Sequence, residues 1–237
     1  MKKKLLALTA ALLIVFTQGA FAQDTLWKAL CAENITVAAV EGEALFTADD
    51  SGARAAEDAA LCLRFTAEAG EAFAFEYLAP ADACEGVLTV TLNGAEKTLV
   101  GCGEWAQARL TLAETGEQEA IVRWRRGEGG AGEAALRGAS VGQTAQAAGE
   151  ATYRVVVTDS AGKAVPGAML QMCDDATCLV LTTDETGAAA HTGAPYPYEI
   201  HVLRAPQGYA KPAATLLMPV GGGEAVIVLE SEAGEGK

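Results

Sequence analysis

The residues of this chain that could do covalent chemistry are few, and cysteines lead them. Cys31, Cys62, Cys84, Cys102, Cys173 and Cys178 are the six thiols, and no two of them form a C-x-x-C pair. Only two histidines accompany them, His191 and His201. Structural zinc needs clustered thiolates or imidazoles, so these cysteines read as bridges rather than metal ligands. Cys173 and Cys178 flank Asp174-Asp175-Ala176-Thr177 between two apolar runs, which predicts a disulfide across a hairpin. Cys84 and Cys102 bracket another expected hairpin and form the second expected pair, which leaves Cys31 for Cys62. Six cysteines admit other connectivities for these last two pairs. In the chain-entropy picture each bridge contributes about 2–4 kcal/mol, the shortest loop least.

Other catalytic constellations are thin. The four serines, Ser51, Ser140, Ser160 and Ser231, include none in a G-x-S-x-G elbow. His201 alternates with Glu199, as an outward polar position on a strand would. Acids are so common, 31 in all, that no pair stands out with glycosidase spacing. Asp174, Asp175 and Asp184 read as solvated loop acids rather than a calcium site. The expectation is a protein without catalytic residues, metal or cofactor.

The elements that must position these residues begin with an export signal. Lys2, Lys3 and Lys4 precede the apolar run 5–16, and Ala20-Phe21-Ala22 fits a small-x-small cleavage site. Cleavage is expected after Ala22, leaving Gln23 first. Removing the three signal lysines leaves 14 basic residues against 31 acidic ones, a formal net charge of -17. Such a chain repels nucleic acid and anionic membrane. No second long apolar segment predicts membrane insertion of the mature protein. An exported chain also lives where disulfides persist.

The first half reads as an all-β sandwich. Leu61, Leu63 and Phe65 share one face of a strand, as do Phe73, Phe75 and Tyr77, and then Leu88, Val90 and Leu92. Asn93-Gly94 predicts a two-residue hairpin turn, since both residues tolerate positive φ. Further strands are expected over 97–100, 108–112 and 120–125. The stretch 24–31 could hold one short helical turn. Parity places Arg64, Glu76, Thr89, Thr91, Arg123 and Arg125 on outward faces. Trp124 shares parity with Val122 and is expected in the core. Trp105 follows Gly101, Gly103 and Glu104 in a loop-like stretch and is the candidate aromatic platform for a ligand. With Arg64, Glu76, Arg123 and Arg125 it makes up the candidate binding set, although a merely solvated face would look the same.

Phe75-Glu76-Tyr77, Leu88-Thr89-Val90, Leu92-Asn93-Gly94, Trp105 and Val122-Arg123-Trp124 together resemble the jelly-roll modules found beside secreted peptidases and glycan-binding proteins. Arg125 and Arg126 stand where those modules usually carry a last aromatic. No cluster of calcium-binding acids is evident, so the family's metal does not carry over.

The second half carries a more specific pattern. Val165-Pro166-Gly167-Ala168, Thr183-Asp184-Glu185-Thr186-Gly187 and Ala205-Pro206-Gln207-Gly208-Tyr209 follow one another between short alternating strands. Their order and spacing resemble the prealbumin-like (Cna B-type, SpaA-like) domains of bacterial surface proteins. The resemblance implies a small β-sandwich that serves as a stalk or adhesion module. Many such domains form an internal Lys–Asn isopeptide bond assisted by an acid. Here Val157 stands at the lysine's position and Val202 at the acid's. The only asparagines, Asn34 and Asn93, precede the domain. No isopeptide is possible within it, and Cys173–Cys178 would take over part of the stapling.

The sequence therefore predicts an all-β chain with a signal peptide (1–22), a jelly-roll-like sandwich (23–141), a connector (142–150), a prealbumin-like sandwich (151–230) and an acidic tail (231–237). The functional expectation is an exported, non-catalytic surface or secreted protein with adhesion, interaction and spacer roles, its partner an extracellular protein or glycan. The alternatives are a glycan-binding accessory protein that uses the first sandwich, and an extracellular hydrolase with an unrecognised site.

Overall fold

The structure, a computed structural model, describes residues 35–42, 46–49, 52–128, 132–143 and 148–232. The signal segment, the Ala22–Gln23 junction, the turn expected over 24–31, Cys31, and residues 233–237 of the tail lie outside them. Seventeen elements are formed among the described residues, all of them β-strands.

The first ten strands build one sandwich. They are β1 (Ile35–Gly42), β2 (Thr47–Asp49), β3 (Gly52–Ala55), β4 (Ala59–Ala67), β5 (Ala72–Leu78), β6 (Gly86–Leu92), β7 (Ala95–Leu99), β8 (Ala106–Thr111), β9 (Gly116–Arg126) and β10 (Ala134–Gly142). One sheet runs β2-β3-β10-β5-β8, and the other begins β1-β4-β9-β6-β7. Strands β3 to β10 thus follow jelly-roll order, crossing between sheets at every connection but the β6–β7 hairpin: β3-β10-β5-β8 lies against β4-β9-β6-β7. The alternation read from the sequence explains the packing. Leu61, Leu63, Phe65, Phe73, Phe75, Tyr77, Leu88 and Val90 all enter one buried cluster around Trp124, which is fully buried. Phe65 stacks on Phe73 with ring centroids 4.9 Å apart. Asn93 (φ 49) and Gly94 (φ 86) form the expected two-residue turn between β6 and β7, where Leu92 faces Ala95. At Gly86 the reason for glycine is space, because a Cβ there would lie 2.1 Å from the Trp124 ring.

The remaining seven strands build a smaller sandwich. They are β11 (Ala151–Asp159), β12 (Met169–Cys173), β13 (Cys178–Thr182), β14 (Ala188–Gly193), β15 (Glu199–Arg204), β16 (Leu216–Leu217) and β17 (Gly223–Leu229). The sheet β14-β11-β17 covers a sheet ordered β16-β15-β12-β13. This two-sheet β-sandwich is the architecture that the Cna B-type resemblance implies. Val157 and Val202, at the two isopeptide positions, are buried in its apolar core with Tyr153, Leu170, Met172 and Ile200. The turns are tied by carboxylates. Asp159 accepts from the amides of Ala161 and Lys163, Asp174 from Ala176 and Thr177, and Asp184 from Thr186 and Ala188.

The two sandwiches are not joined through the connector alone. Strand β16 pairs in parallel with β7, Leu216 beside Thr98 and Leu217 beside Leu99. This fuses one sheet of each half into a continuous nine-stranded sheet, β1-β4-β9-β6-β7-β16-β15-β12-β13. The cores interlock at the seam: Leu217 is buried in the first cluster and Val100 in the second. Lys97 forms an ion pair with Glu199 across it.

Candidate functional site

The structure divides the candidate binding set between two faces. Glu76 on β5 and Trp105, just before β8, meet on the outer face of the five-stranded sheet. They meet through Arg137 of β10, which the sequence reading did not single out. Register sets Arg137 opposite Glu76, and its Nε donates to a Glu76 carboxylate oxygen at 2.5 Å. The guanidinium lies over the Trp105 ring, 4.0 Å from its centroid. A cation held there is attracted by the ring's negative face. Trp105 is half-buried and so belongs neither to the core nor to open solvent.

Arg64, Arg123 and Arg125 lie on the other sheet. Arg64 on β4 faces Glu119 on β9 and bonds it at 2.9 Å. The Arg64 hydrogen bond holds the Glu119 carboxyl below its usual range and pushes the guanidinium further up. Arg123 and Arg125 carry no ion pair among the described residues. The five expected ligand residues therefore do not converge on one site. Parity also misplaces Thr89: it is 3 % exposed, and its hydroxyl has no partner among the described residues.

The cysteine expectations divide in the same way. Cys173 and Cys178 are bonded and face each other across β12 and β13. Cys84 and Cys102 are not joined, and both are exposed thiols. The hairpin between them exists, but its register pairs Leu88 with Leu99. Extending that register sets Cys84 opposite Gly103 rather than Cys102. Each cysteine is also held in its own loop. The Cys84 amide donates to Asp82, the Cys102 thiol to the Glu104 carbonyl, and the Gly103 amide to the Ala79 carbonyl. The pairing of Cys62 with Cys31 falls outside the described residues.

The densest polar chemistry lies at the seam between the halves. The Thr111 hydroxyl on β8 donates to Asp175 of the β12–β13 turn. The Val220 amide donates to the Gln107 carbonyl, and Arg109 lies over the Tyr196 ring at 5.8 Å. Burial, helped by a hydrogen bond to Asp175, pushes the Tyr196 phenol up to about 12. Tyr153 is fully buried; its hydroxyl donates to the Val220 carbonyl and accepts from the Tyr196 amide. The Thr111–Asp175, Val220–Gln107 and Arg109–Tyr196 contacts bind one half to the other.

Three clefts open on the described surface; one of about 580 Å³ is lined by Arg64, Asn93, Gln118 and Glu119, and two lie elsewhere. One, about 460 Å³, lies between the halves, walled by the 80–86 loop and by Ala225, Val226 and Val228 of β17. The other, about 490 Å³, is shallow and runs beside β15 past Gln171, His201, Leu203 and Lys211. His201 also stands beside the disulfide, its Nε2 4.0 Å from Cys173 Sγ. Sequence reasoning had no access to that contact, because it depends on β15 pairing with β12 in a register that sets His201 opposite Gln171. Asp174 and Asp184 occupy turns at opposite ends of β13, and Asp175 turns toward Thr111. The three acids do not gather, and no group of three or more potential metal ligands occurs among the described residues.

No protein-family model matches the chain, and no curated protein matches it. Several solved structures are similar to it at low identity. The TIE protein of Bacillus anthracis is 12 % identical with a TM-score of 0.33, the match covering 86 % of this chain and 42 % of that one. The pilus 2b backbone protein of group B streptococcus is 9 % identical with a TM-score of 0.32, over 75 % of this chain and 94 % of that one. The secreted serine protease VesC of Vibrio cholerae is 19 % identical with a TM-score of 0.38, over 51 % of this chain and 26 % of that one. The chain spans less than half the length of the first of these.

Proposed function

We propose that this chain is an exported surface or secreted protein that acts without catalysis, as an interaction module and rigid spacer. The observation that carries the reading is the shared nine-stranded sheet. Two sandwiches joined by backbone pairing, interlocked cores and the Lys97–Glu199 pair hold a fixed relative geometry. A spacer needs that property, whereas flexibly tethered domains lack it. The signal-like amino terminus and the strongly acidic composition support export and argue against nucleic acid or an anionic membrane as partner.

The partner class is an extracellular protein or a glycan. The Glu76–Arg137–Trp105 group favours the glycan reading for the first sandwich. It combines an aromatic ring with fixed hydrogen-bonding groups on an outer sheet face. Binding of the full chain to arrays of glycans and extracellular-matrix proteins tests the proposal. Loss of a hit in Trp105→Ala, with an unchanged circular-dichroism spectrum, assigns recognition to that face. Turnover of an envelope or matrix substrate by the purified chain would overturn the non-catalytic reading.

A further inference from the structure

The Cys173–Cys178 bridge adds little to the architecture around it. It joins residues already paired on adjacent strands, where the ladder runs unbroken from Met169–Thr182 to Cys173–Cys178. The loop it closes is held independently. Asp174 accepts from the amides of Ala176 and Thr177, and its own amide donates to the Thr177 carbonyl. No distant part of the chain is tied down. A bridge that staples what is already stapled invites a chemical explanation.

The two sulfurs have different surroundings. Cys178 is exposed on β13, an edge strand of the nine-stranded sheet. Cys173 is half-buried between β13 and β15, with its sulfur 4.0 Å from His201 Nε2. Thiol–disulfide exchange needs this asymmetry. One sulfur must be open to attack, and the other must leave as a thiolate, which an adjacent imidazolium stabilises. His201 also lines the shallow groove with Gln171, Leu203, Lys211, Pro212 and Thr215. On the opposite side of the bridge, Leu179 and Val180 of β13 are 39 % and 54 % exposed. A polypeptide carrying cysteines thus finds an apolar edge strand and a groove on either side of the bridge.

We infer that Cys173–Cys178 is a thiol–disulfide exchange site that passes its bridge to dithiols of exported polypeptides, with His201 stabilising the leaving thiolate of Cys173. A substrate thiolate attacks Cys178 Sγ. A sulfur–sulfur bond forms between substrate and Cys178 as the Cys173–Cys178 bond breaks. The electron pair leaves on Cys173 Sγ and takes a proton from His201. The substrate's second thiol loses its proton to solvent and attacks the substrate sulfur of the mixed disulfide; the bond to Cys178 breaks, and the Cys178 thiolate takes up a proton from solvent. The substrate dithiol is oxidised to a disulfide and the bridge is reduced to two thiols, one equivalent for one. The charged groups around His201 are Lys211 across the groove, Glu199 on the same strand face and bound to Lys97, and Arg204 at the end of β15.

The test uses the full chain carrying Cys84→Ser and Cys102→Ser, with reduced glutathione as the probe. Alkylation and peptide mass spectrometry follow the bridge. The expected result is a glutathione adduct on Cys178. His201→Gln is expected to slow reduction about tenfold at mildly acidic pH, with the difference fading at alkaline pH, where an imidazole carries no charge. An adduct on Cys173 instead, a bridge that stays oxidised in the folded protein, or equal rates with and without His201 at every pH would overturn the assignment. Should His201→Gln not fold, Cys173→Ser against Cys178→Ser decides. With oxidised glutathione as the probe for these two variants, the first is expected to accumulate a Cys178–glutathione mixed disulfide as the second glutathione leaves as a thiolate, and the second not, and equal labelling of the two refutes the asymmetry.

Discussion

The two sandwiches solve the same problem by different means. The first fills its interior with large rings: Trp124, Tyr77, Phe46 and Phe73 are among its fully buried side chains. It leaves Cys84 and Cys102 unbonded in exposed loops. The second is smaller, and its core is mainly aliphatic, with a cluster of Tyr153, Tyr196 and Tyr198 at one end. It compensates at its turns, with three aspartates bonded to backbone amides and a buried Thr183 that bonds Val165 and Ala168. Burial grows with domain size, so the small sandwich relies more on local hydrogen bonds.

The difference can be attacked from its strongest point downward. Trp124→Ala removes the centrepiece of the first core and is expected to cost about 3–5 kcal/mol, read from urea denaturation of the full chain. Leu217→Ala empties a site in the first core with a residue supplied by the second half. A loss of about 2–4 kcal/mol is expected, together with separation of one cooperative transition into two. Tryptophan emission reports the first half, and hydrogen exchange at β11 and β17 the second. Coincident transitions in this variant would show that the seam does not couple the sandwiches. Thr183→Val keeps the volume but strips the hydroxyl that donates to Val165 and accepts from Ala168. The expected cost is about 1–3 kcal/mol, confined to the second half's transition.

The smallest effect concerns pH. Asp184 is held below the usual carboxylate range, first by the Thr186 hydroxyl and then by the amides of Ala188 and Thr186. A depressed native value contributes stability that is complete above the unfolded value, about 3.9, and is lost as pH falls through the native one. The stability gap between the native chain and Asp184→Ala is thus expected at neutral pH and should narrow on acidification. Thermal melts over a pH series check this, and a gap that widens in acid would contradict it.

Much of this was legible in advance, for identifiable reasons. Strict alternation of large apolar residues marked β4, β5, β6 and β9, and Asn93-Gly94 marked the turn with its own conformational preference. Strands built from small residues were not legible. Strand β14 reads Ala-Ala-Ala-His-Thr-Gly, and β10 mixes alanine and glycine, so neither carries the β-branched signal of a strand. The two-residue β16 is too short to announce itself, yet it joins the halves. The candidate site was half-legible. Trp105 and Glu76 were named, but Arg137 links them through strand register, which a linear reading does not reveal. Cys84 and Cys102 illustrate the converse, since a hairpin between two cysteines does not imply that they face each other.

The pairing of β11 with β17 has a mechanical consequence. These are the first and last strands of the second sandwich, and they run side by side in parallel from Tyr153–Gly223 to Asp159–Leu229. Tension applied at the start of β11 and the end of β17 pulls the two strands past each other along their length. The ladder is then loaded in shear, so its hydrogen bonds must rupture together rather than unzip one at a time. A chain tugged from its two ends would resist at this clamp.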